Sequence, residues 1–315
     1  MQNTTFLSNL GLRGKMLVAV VTMILLGFTL TVSLLTFQAS RLQQTTALHY
    51  ANQLALNQAD DIAGRINVAL FAARDLAAQL LALKTENKAE RDQANLLLKS
   101  VLNAHPEFAG VGSVWEANAF DQKDSEYAGK PGHDASGRFI PYWNRGSGSA
   151  AVEPLTDYDK PGAGDYYLLA KKSGQETLLE PYMYKIAGKD VFMTTISVPI
   201  KAGQQVIGAI TIDLPVASFQ EQISALHPFQ TGYASLLSNT AVYIGDVDAG
   251  KVGKPFQDGS REALAAISAA MAVCGPCCAT GSTAGSPTTS PVPAKATIGM
   301  RATSGTVIYR PSQTF

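Results

Sequence analysis

The chain has 315 residues, with 25 basic and 25 acidic side chains and a formal net charge of zero at neutral pH. That balance gives no electrostatic support to a nucleic-acid or other polyanionic partner, and none is expected. The length suits two ordinary domains or one large one, and the apolar fraction of 46% is ordinary, so any membrane part is local.

Residues 1–15 form a short tail that carries Arg13 and Lys15; the first acid of the chain is Asp60. Residues 16–40, MLVAVVTMILLGFTLTVSLLTFQAS, contain no charge. This run exceeds the roughly 20 apolar residues with which a helix crosses a bilayer, and its basic flank predicts that the tail stays inside. The competing reading is a cleaved signal peptide. The run ends in small residues, as a cleavage site does, but it is longer than the apolar core of about 7–15 residues in such peptides. A single-pass, membrane-inserted anchor puts residues 41–315 outside, in the periplasm if the membrane is a Gram-negative inner membrane.

Residues 41–105 read as one or two long helices. Leu54, Ile62, Ile66 and Leu70 recur at helical spacing with polar Gln58 interrupting, and Leu76, Leu80, Leu81 and Leu83 continue the stripe. Asp60, Asp61, Arg65 and Arg74 fall between them, an amphipathic pattern. Such a helix predicts a stalk or a homodimer seam; packing on its own domain is the equal alternative for its second half.

After Pro106 the texture becomes that of strands. FAGVGSVWEANAF (108–120) alternates, and GHDASGRFIPYW (132–143) is a turn entering a strand. EPLTDYDKPGAGDYY (153–167) is a loop broken at Pro161–Gly162. Residues 176–200 form a hairpin that turns at Ala187–Gly188–Lys189. Residues 204–220 add a strand and a short helix starting at Leu214–Pro215, and residues 232–246 two strands around Ser238–Asn239. The order of a long helix, about four antiparallel strands and a smaller αβ piece predicts an α+β sensor-like domain and argues against a dinucleotide-binding fold.

Catalytic chemistry finds no support. His49, His105, His133 and His227 match no zinc spacing, and no nucleophile elbow, HExxH or phosphate loop occurs. CGPCC (274–278) has the spelling of a redox motif, but it follows an Ala-rich stretch rather than a strand and runs into a Pro-rich tail. No catalytic residue, metal or cofactor is therefore expected. What remains is a set of aromatics, Trp115, Tyr142, Trp143, Tyr166, Tyr167, Tyr182 and Tyr184, with the acids Asp157, Asp159, Asp165, Glu180 and Asp213. Aromatic faces and a carboxylate suit a ligand with an ammonium group; core packing is the plain alternative. Asp213 stands out, because an acid that ends the apolar strand AITID is costly unless paired.

GRFIPYWNRG, DYDKPGAGDYYLLAKKSGQETLLEPYMY, VFMTTISVPI and VIGAITIDLPVASFQ, in this order, resemble the membrane-distal module of the double Cache domain of bacterial methyl-accepting chemotaxis receptors. GYASLLSNTAVYIGD and VGKPFQD look like the start of its membrane-proximal module. The resemblance covers roughly residues 10–270. It implies one transmembrane helix, a long stalk helix and a double Cache (PAS-like, antiparallel-sheet) sensor domain, with a distal module at 106–225 and a partial proximal one at 226–270. In that family the distal module binds amino acids or amines. An Arg/Trp/Tyr segment, a Tyr-x-Asp pair and an Asp closing a later strand line the pocket. Here these correspond to Arg138, Tyr142 and Trp143, then Tyr182–Met183–Tyr184 without the acid, then Asp213; Trp115 and Asp165 complete the candidate set. The altered arginine spacing and retained acid lean toward a small amine or polyamine over an amino acid. The same module also serves histidine kinases and diguanylate cyclases as sensor input.

From about Met271 the likeness ends, and residues 271–315 read as a low-complexity, disordered tail. A truncated or frameshifted product has this form, with the signalling output missing. If so, another reading frame of the coding DNA past codon 270 encodes the remaining strand and a second apolar span; a DNA sequence with neither overturns that expectation.

Overall fold

The computed structural model describes residues 11–230, 232–256, 297–302 and 305–309. Helix α1 runs over Leu12–Thr85, and its N-terminal part is long and apolar enough to cross a membrane by length and composition. It ends in a Schellman motif. Asn87 takes a positive φ of 53°, while Lys88 N–H reaches the Leu83 carbonyl and Asn87 N–H that of Lys84. The chain then re-enters helix as α2, Arg91–Ala104. The 41–105 region is thus two helices, and both pack on the domain that follows.

The first sheet has seven strands, all antiparallel to their neighbours: β1 Gly110–Trp115, β2 Pro141–Asn144, β3 Ala151–Pro154, β4 Thr177–Leu178, β5 Tyr182–Ile186, β6 Lys189–Ala202 and β7 Gln205–Pro215. Their order is β3-β2-β1-β7-β6-β4, with β5 also on β6. The β5–β6 turn is where the sequence puts it. Ala187 and Gly188 both have positive φ (47° and 78°), the two-residue hairpin geometry that matches strand twist. Helix α3, Asp165–Ser173, begins inside the stretch 153–167 that the sequence predicts as loop. Its Tyr166, Tyr167 and Ala170 are buried against the sheet, and Gly174 caps it in the left-handed region.

The sheet separates two cores. On one side Ile62, Ile66, Leu70, Leu76 and Leu80 of α1 and Leu98 and Leu102 of α2 meet Val111, Trp115, Ile210, Ile212 and Leu214. Half of the α1 stripe is alanine (Ala55, Ala59, Ala69, Ala73, Ala77), which explains why leucines alone gave an imperfect period with Gln58 on it. On the other side Val114, Tyr142, Leu155, Tyr166, Tyr167, Met193 and Ala209 cluster under α3.

Helix α4, Val216–Ser224, leaves β7 directly and packs Phe219 and Ile223 toward a second sheet. That sheet holds β8 Tyr233–Leu237, β9 Tyr243–Asp246, β10 Thr297–Ala302 and β11 Gly305–Tyr309, in the order β11-β10-β8-β9. The last two strands lie where the sequence predicts a disordered tail. The Pro/Ser/Thr-rich stretch before them dominates the composition and masks the β-favouring run Thr306–Tyr309. The CGPCC motif and the rest of 271–296 lie outside the described residues.

Arg91 fastens the start of α2 to the loop after β1. It is 3% exposed, pairs with Asp121 (2.8 Å) and Asp124 (2.7 Å), and donates to the Gly137 carbonyl (2.7 Å). Tyr127 covers its guanidinium at 4.0 Å. Removing one partner of a buried ion cluster leaves uncompensated charge and costs about 3–5 kcal/mol. Arg91→Ala is therefore expected to lose stability of that order in urea unfolding of the full chain. A loss within about 0.5 kcal/mol, the level of an ordinary surface change, would contradict it.

Candidate ligand-binding site

Register places Asp213 of β7 directly opposite Gly110 of β1 and Thr195 of β6. Alternation along β7 sends Ile212 and Leu214 to the helix side and Asp213, Thr211 and Ala209 to the opposite face. The Asp213 residue is 4% exposed. Its Oδ2 accepts a 2.6 Å hydrogen bond from Tyr142 Oη, and its Oδ1 one of 2.6 Å from Thr195 Oγ1. Thr195 has given its only proton to Asp213, so in the 2.8 Å contact with Tyr182 Oη the tyrosine donates.

Tyr142 stands two strands away on β2, and its ring crosses β1 to reach the carboxylate. Two glycines make this possible. A Cβ on Gly110 would lie 2.3 Å from Tyr142 Oη, and one on Gly112 would lie 2.5 Å from Thr211 Oγ1. The Gly-Val-Gly of β1 is thus the bare track over which the tyrosine lies. Tyr184 completes the enclosure, its ring edge-on to Tyr142, Tyr166 and Tyr182 at centroid distances of 5.9, 5.8 and 6.3 Å. Tyr166 donates to the Thr156 carbonyl at 2.6 Å, and Tyr184 Oη accepts from the Thr156 amide at 3.2 Å.

Burial pushes the Asp213 carboxyl up to about 6 from an ordinary 3.8, against the two hydroxyl hydrogen bonds, which lower it. Burial, then the nearby Asp213 charge, raises the Tyr142 phenol well above its usual value, so it stays a donor. Among the described residues no cation pairs with Asp213. A desolvated carboxylate with hydroxyl donors, aromatic walls and no counter-charge has the chemistry that suits a cation: an ammonium would supply the missing charge, and the rings would add attraction of about 0.5–2 kcal/mol.

The structure brings Tyr142, Tyr182, Tyr184 and Asp213 of the predicted set together. It separates the other four from them. Trp143 follows Tyr142 on β2 and so points to the helix side, where its Nε1 donates to Asn95 (2.9 Å) and Lys99 Nζ lies 5.1 Å from its ring. Trp115 is in the helix-side core against Phe120. Arg138 donates from Nε and Nη2 to the Trp115 carbonyl (2.8 and 2.6 Å) and lies over Tyr158 at 4.6 Å. Asp165 accepts from the Gly162 amide at 3.0 Å and so ties the loop to the start of α3. Thr195, Gly110 and Gly112 were missed, because cross-strand register is not written in local sequence. The polar alternation of Thr195 and Ser197 within VFMTTISVPI was the available signal.

A separate small cleft of about 50 Å3 lies elsewhere, between Ile62 and Ile66 of α1, the Leu178–Pro181 segment, Phe219 of α4, and Leu236 and Leu237 of β8. Its lining is mainly apolar and includes none of the Asp213 contacts, so the charge chemistry rests with the enclosed carboxylate. Among the described residues no group of His, Cys, Asp and Glu is arranged to hold a metal.

Residues 94–221 match the family model described as methyl-accepting chemotaxis protein-like, first PDC sensor domain. The curated methyl-accepting chemotaxis protein TlpQ of Pseudomonas aeruginosa is 30% identical over 180 residues, 52% of this chain and 25% of that receptor. The chain thus matches about a quarter of that relative's length. Among solved structures, the extracellular domain mmHK1S-Z3, assigned to a histidine kinase, is 31% identical with a TM-score of 0.65, covering 81% of this chain and 89% of that one. Methyl-accepting chemotaxis protein X gives 24% and 0.63, covering 82% and 91%. The periplasmic sensory domain of the Campylobacter jejuni chemoreceptor Tlp1 shares the fold at 13% and 0.56, covering 70% and 81%. The fold is Cache-like, that of extracytoplasmic sensor domains of chemoreceptors and histidine kinases, and the role is non-catalytic.

Because the folded-state value of Asp213 lies above 3.8, the native protein holds the extra proton between about pH 4 and about pH 6. Its stability therefore falls as pH rises through that window, by an amount on the order of 3 kcal/mol when complete. Asp213→Asn removes this cost. The variant is expected to unfold at higher urea than the parent at neutral pH, with the gap closing toward pH 4. A variant less stable than the parent at neutral pH would show that the carboxylate is structural.

Proposed function

We propose that the chain is the sensory region of a single-pass inner-membrane receptor whose periplasmic domain binds a small amine, with the ammonium group against Asp213. The uncompensated buried carboxylate within Tyr142, Tyr182, Tyr184 and Thr195 carries this reading. The occupation of Arg138, whose Nε and Nη2 both donate to the Trp115 carbonyl, supports an amine over an amino acid. The second four-stranded sheet supports a second Cache-like module beginning near residue 226, and the apolar part of α1 supports membrane insertion. Pairing of two copies along α1, where Val68 and Phe71 are exposed, is the assembly that suits such a receptor.

A second reading makes this an amino-acid-binding chemoreceptor fragment, or the sensor region of a histidine kinase or diguanylate cyclase. The kinase-assigned extracellular domains mmHK1S-Z3 and mmHK1S-Z2 support the kinase output. They are 31% and 29% identical and are covered over 89% and 91% of their lengths. With an amino acid as the ligand, Asp213 holds the α-ammonium.

Titration calorimetry of the full chain in detergent against putrescine, choline and alanine separates the ligands. Heat from the amines and none from alanine is expected, whereas tight alanine binding with silent amines transfers the site to amino acids. A bound cation favours the ionised carboxylate and lowers the Asp213 pKa from about 6. Amine affinity should therefore fall as the pH drops through about 6, by up to about tenfold per pH unit. A flat profile would remove Asp213 from the contact.

A further inference from the structure

Three buried hydroxyl oxygens among the described residues have no hydrogen-bond partner: Thr177 Oγ1, Ser197 Oγ and Thr211 Oγ1. They are not scattered. Thr177 of β4 is register-paired with Ser197 of β6, Ser197 with Thr211 of β7, and Thr211 with Gly112 of β1, beyond which stands Tyr142 of β2. Directly opposed residues on antiparallel strands share a face, so the three hydroxyls form one row across the sheet. Residues two apart along a strand also share a face, roughly 7 Å apart. The row therefore runs beside Thr195, Asp213 and Gly110, one step further along the same face.

Packing does not call for hydroxyls here. Valine and alanine fill the same space, and a buried hydroxyl left unpaired is unfavourable. Three in line, next to a carboxylate that also lacks its counterpart, are the complement of something not part of the chain. The β1 end of the row is closed: a Cβ on Gly112 would meet Thr211 Oγ1 at 2.5 Å and Leu155 Cδ1 at 3.1 Å, so that space is already taken. Hydroxyls donate and accept but carry no charge. They suit a neutral polar group, while a second ammonium would be desolvated there without a counter-ion.

We infer that the Thr177–Ser197–Thr211 row is a second subsite, which binds a neutral hydrogen-bonding group (a hydroxyl or an amide) at the far end of a ligand whose ammonium lies at Asp213. This rests on the amine reading of Asp213. The ligand is then an amino alcohol or amino amide with the two groups separated by a short chain, rather than a simple alkylamine.

The test compares aminobutanol with butylamine on the full chain in detergent, for the parent, Thr211→Val and Ser197→Ala. The parent should bind aminobutanol about tenfold more tightly. Each variant should lose most of that preference while binding butylamine as before. In ligand-free protein both variants should keep or raise the melting temperature, because they remove an unsatisfied group. An unchanged preference in both variants overturns the subsite and leaves the Asp213 reading standing. A clear fall in melting temperature in both variants also overturns it, since the hydroxyls then serve the fold. Failure of both amines to bind the parent overturns the subsite together with the amine reading.

Discussion

The burial of one carboxylate organises the sensory half of this molecule. Asp213 sits on the central strand pair, and its two oxygens are each held by a hydroxyl from a different direction, Tyr142 across β1 and Thr195 from β6. Several otherwise unrelated features follow from that demand. β1 needs glycines where the tyrosine crosses it. β2 must sit beyond β1 so that Tyr142 can arrive lengthwise. Tyr182 must face Thr195 to keep the threonine proton directed at the acid. None of these donors carries charge, so the carboxylate is solvated without being neutralised. That difference sets Asp213 apart from a structural ion pair such as Arg91 with Asp121 and Asp124.

The same strand connects the site to the long helix. Two residues after Asp213, Pro215 leads into α4, and α4 is bonded to α1. Arg65 donates to Ser218 (2.7 Å) and Gln222 (3.0 Å) and lies 4.5 Å from the Phe219 ring centre, while Gln222 donates to Gln58 (2.9 Å) and Asp61 (2.7 Å). Any shift of β7 would therefore act on a helix held to α1 by polar contacts of definite geometry. Such contacts have discrete alternatives, as switching elements require. The second sheet also rests on α4, with Gly245 close enough to Ile223 that a Cβ there would lie 3.0 Å away.

Much of this was legible in the sequence, for identifiable reasons. Long-period signals survive without tertiary context: the uncharged run 16–40, the helical stripe after it, the Ala187–Gly188 turn, and Asp213 as an acid in an apolar strand. Shorter elements with mixed composition did not. α3 was hidden in a Gly/Pro/Asp-rich stretch whose tyrosines look like strand residues until burial against the sheet stabilises them as a helix face. β10 and β11 were hidden by the composition before them. Within the site, the error was one of parity. Tyr142 and Trp143 are neighbours in sequence, and reading them as one aromatic wall ignores that successive strand residues face opposite ways. The family resemblance puts Arg138 at the ligand, whereas its guanidinium donates to a backbone carbonyl. Thr195 could be found only once the register of β6 on β7 was known.

That parity has a consequence for how such a receptor changes over time. On β2, β6 and β7, alternate positions answer to different demands, one set to whatever occupies the tyrosine enclosure and the other to the α1 and α2 helices. A substitution at Thr195 or Thr211 changes the face that carries Asp213 and leaves the helix-side surface of Ile196, Ile210 and Ile212 untouched. The sheet works as a partition with independent faces, so new chemical preferences can be tried on one side while the machinery that reports them on the other is inherited unchanged.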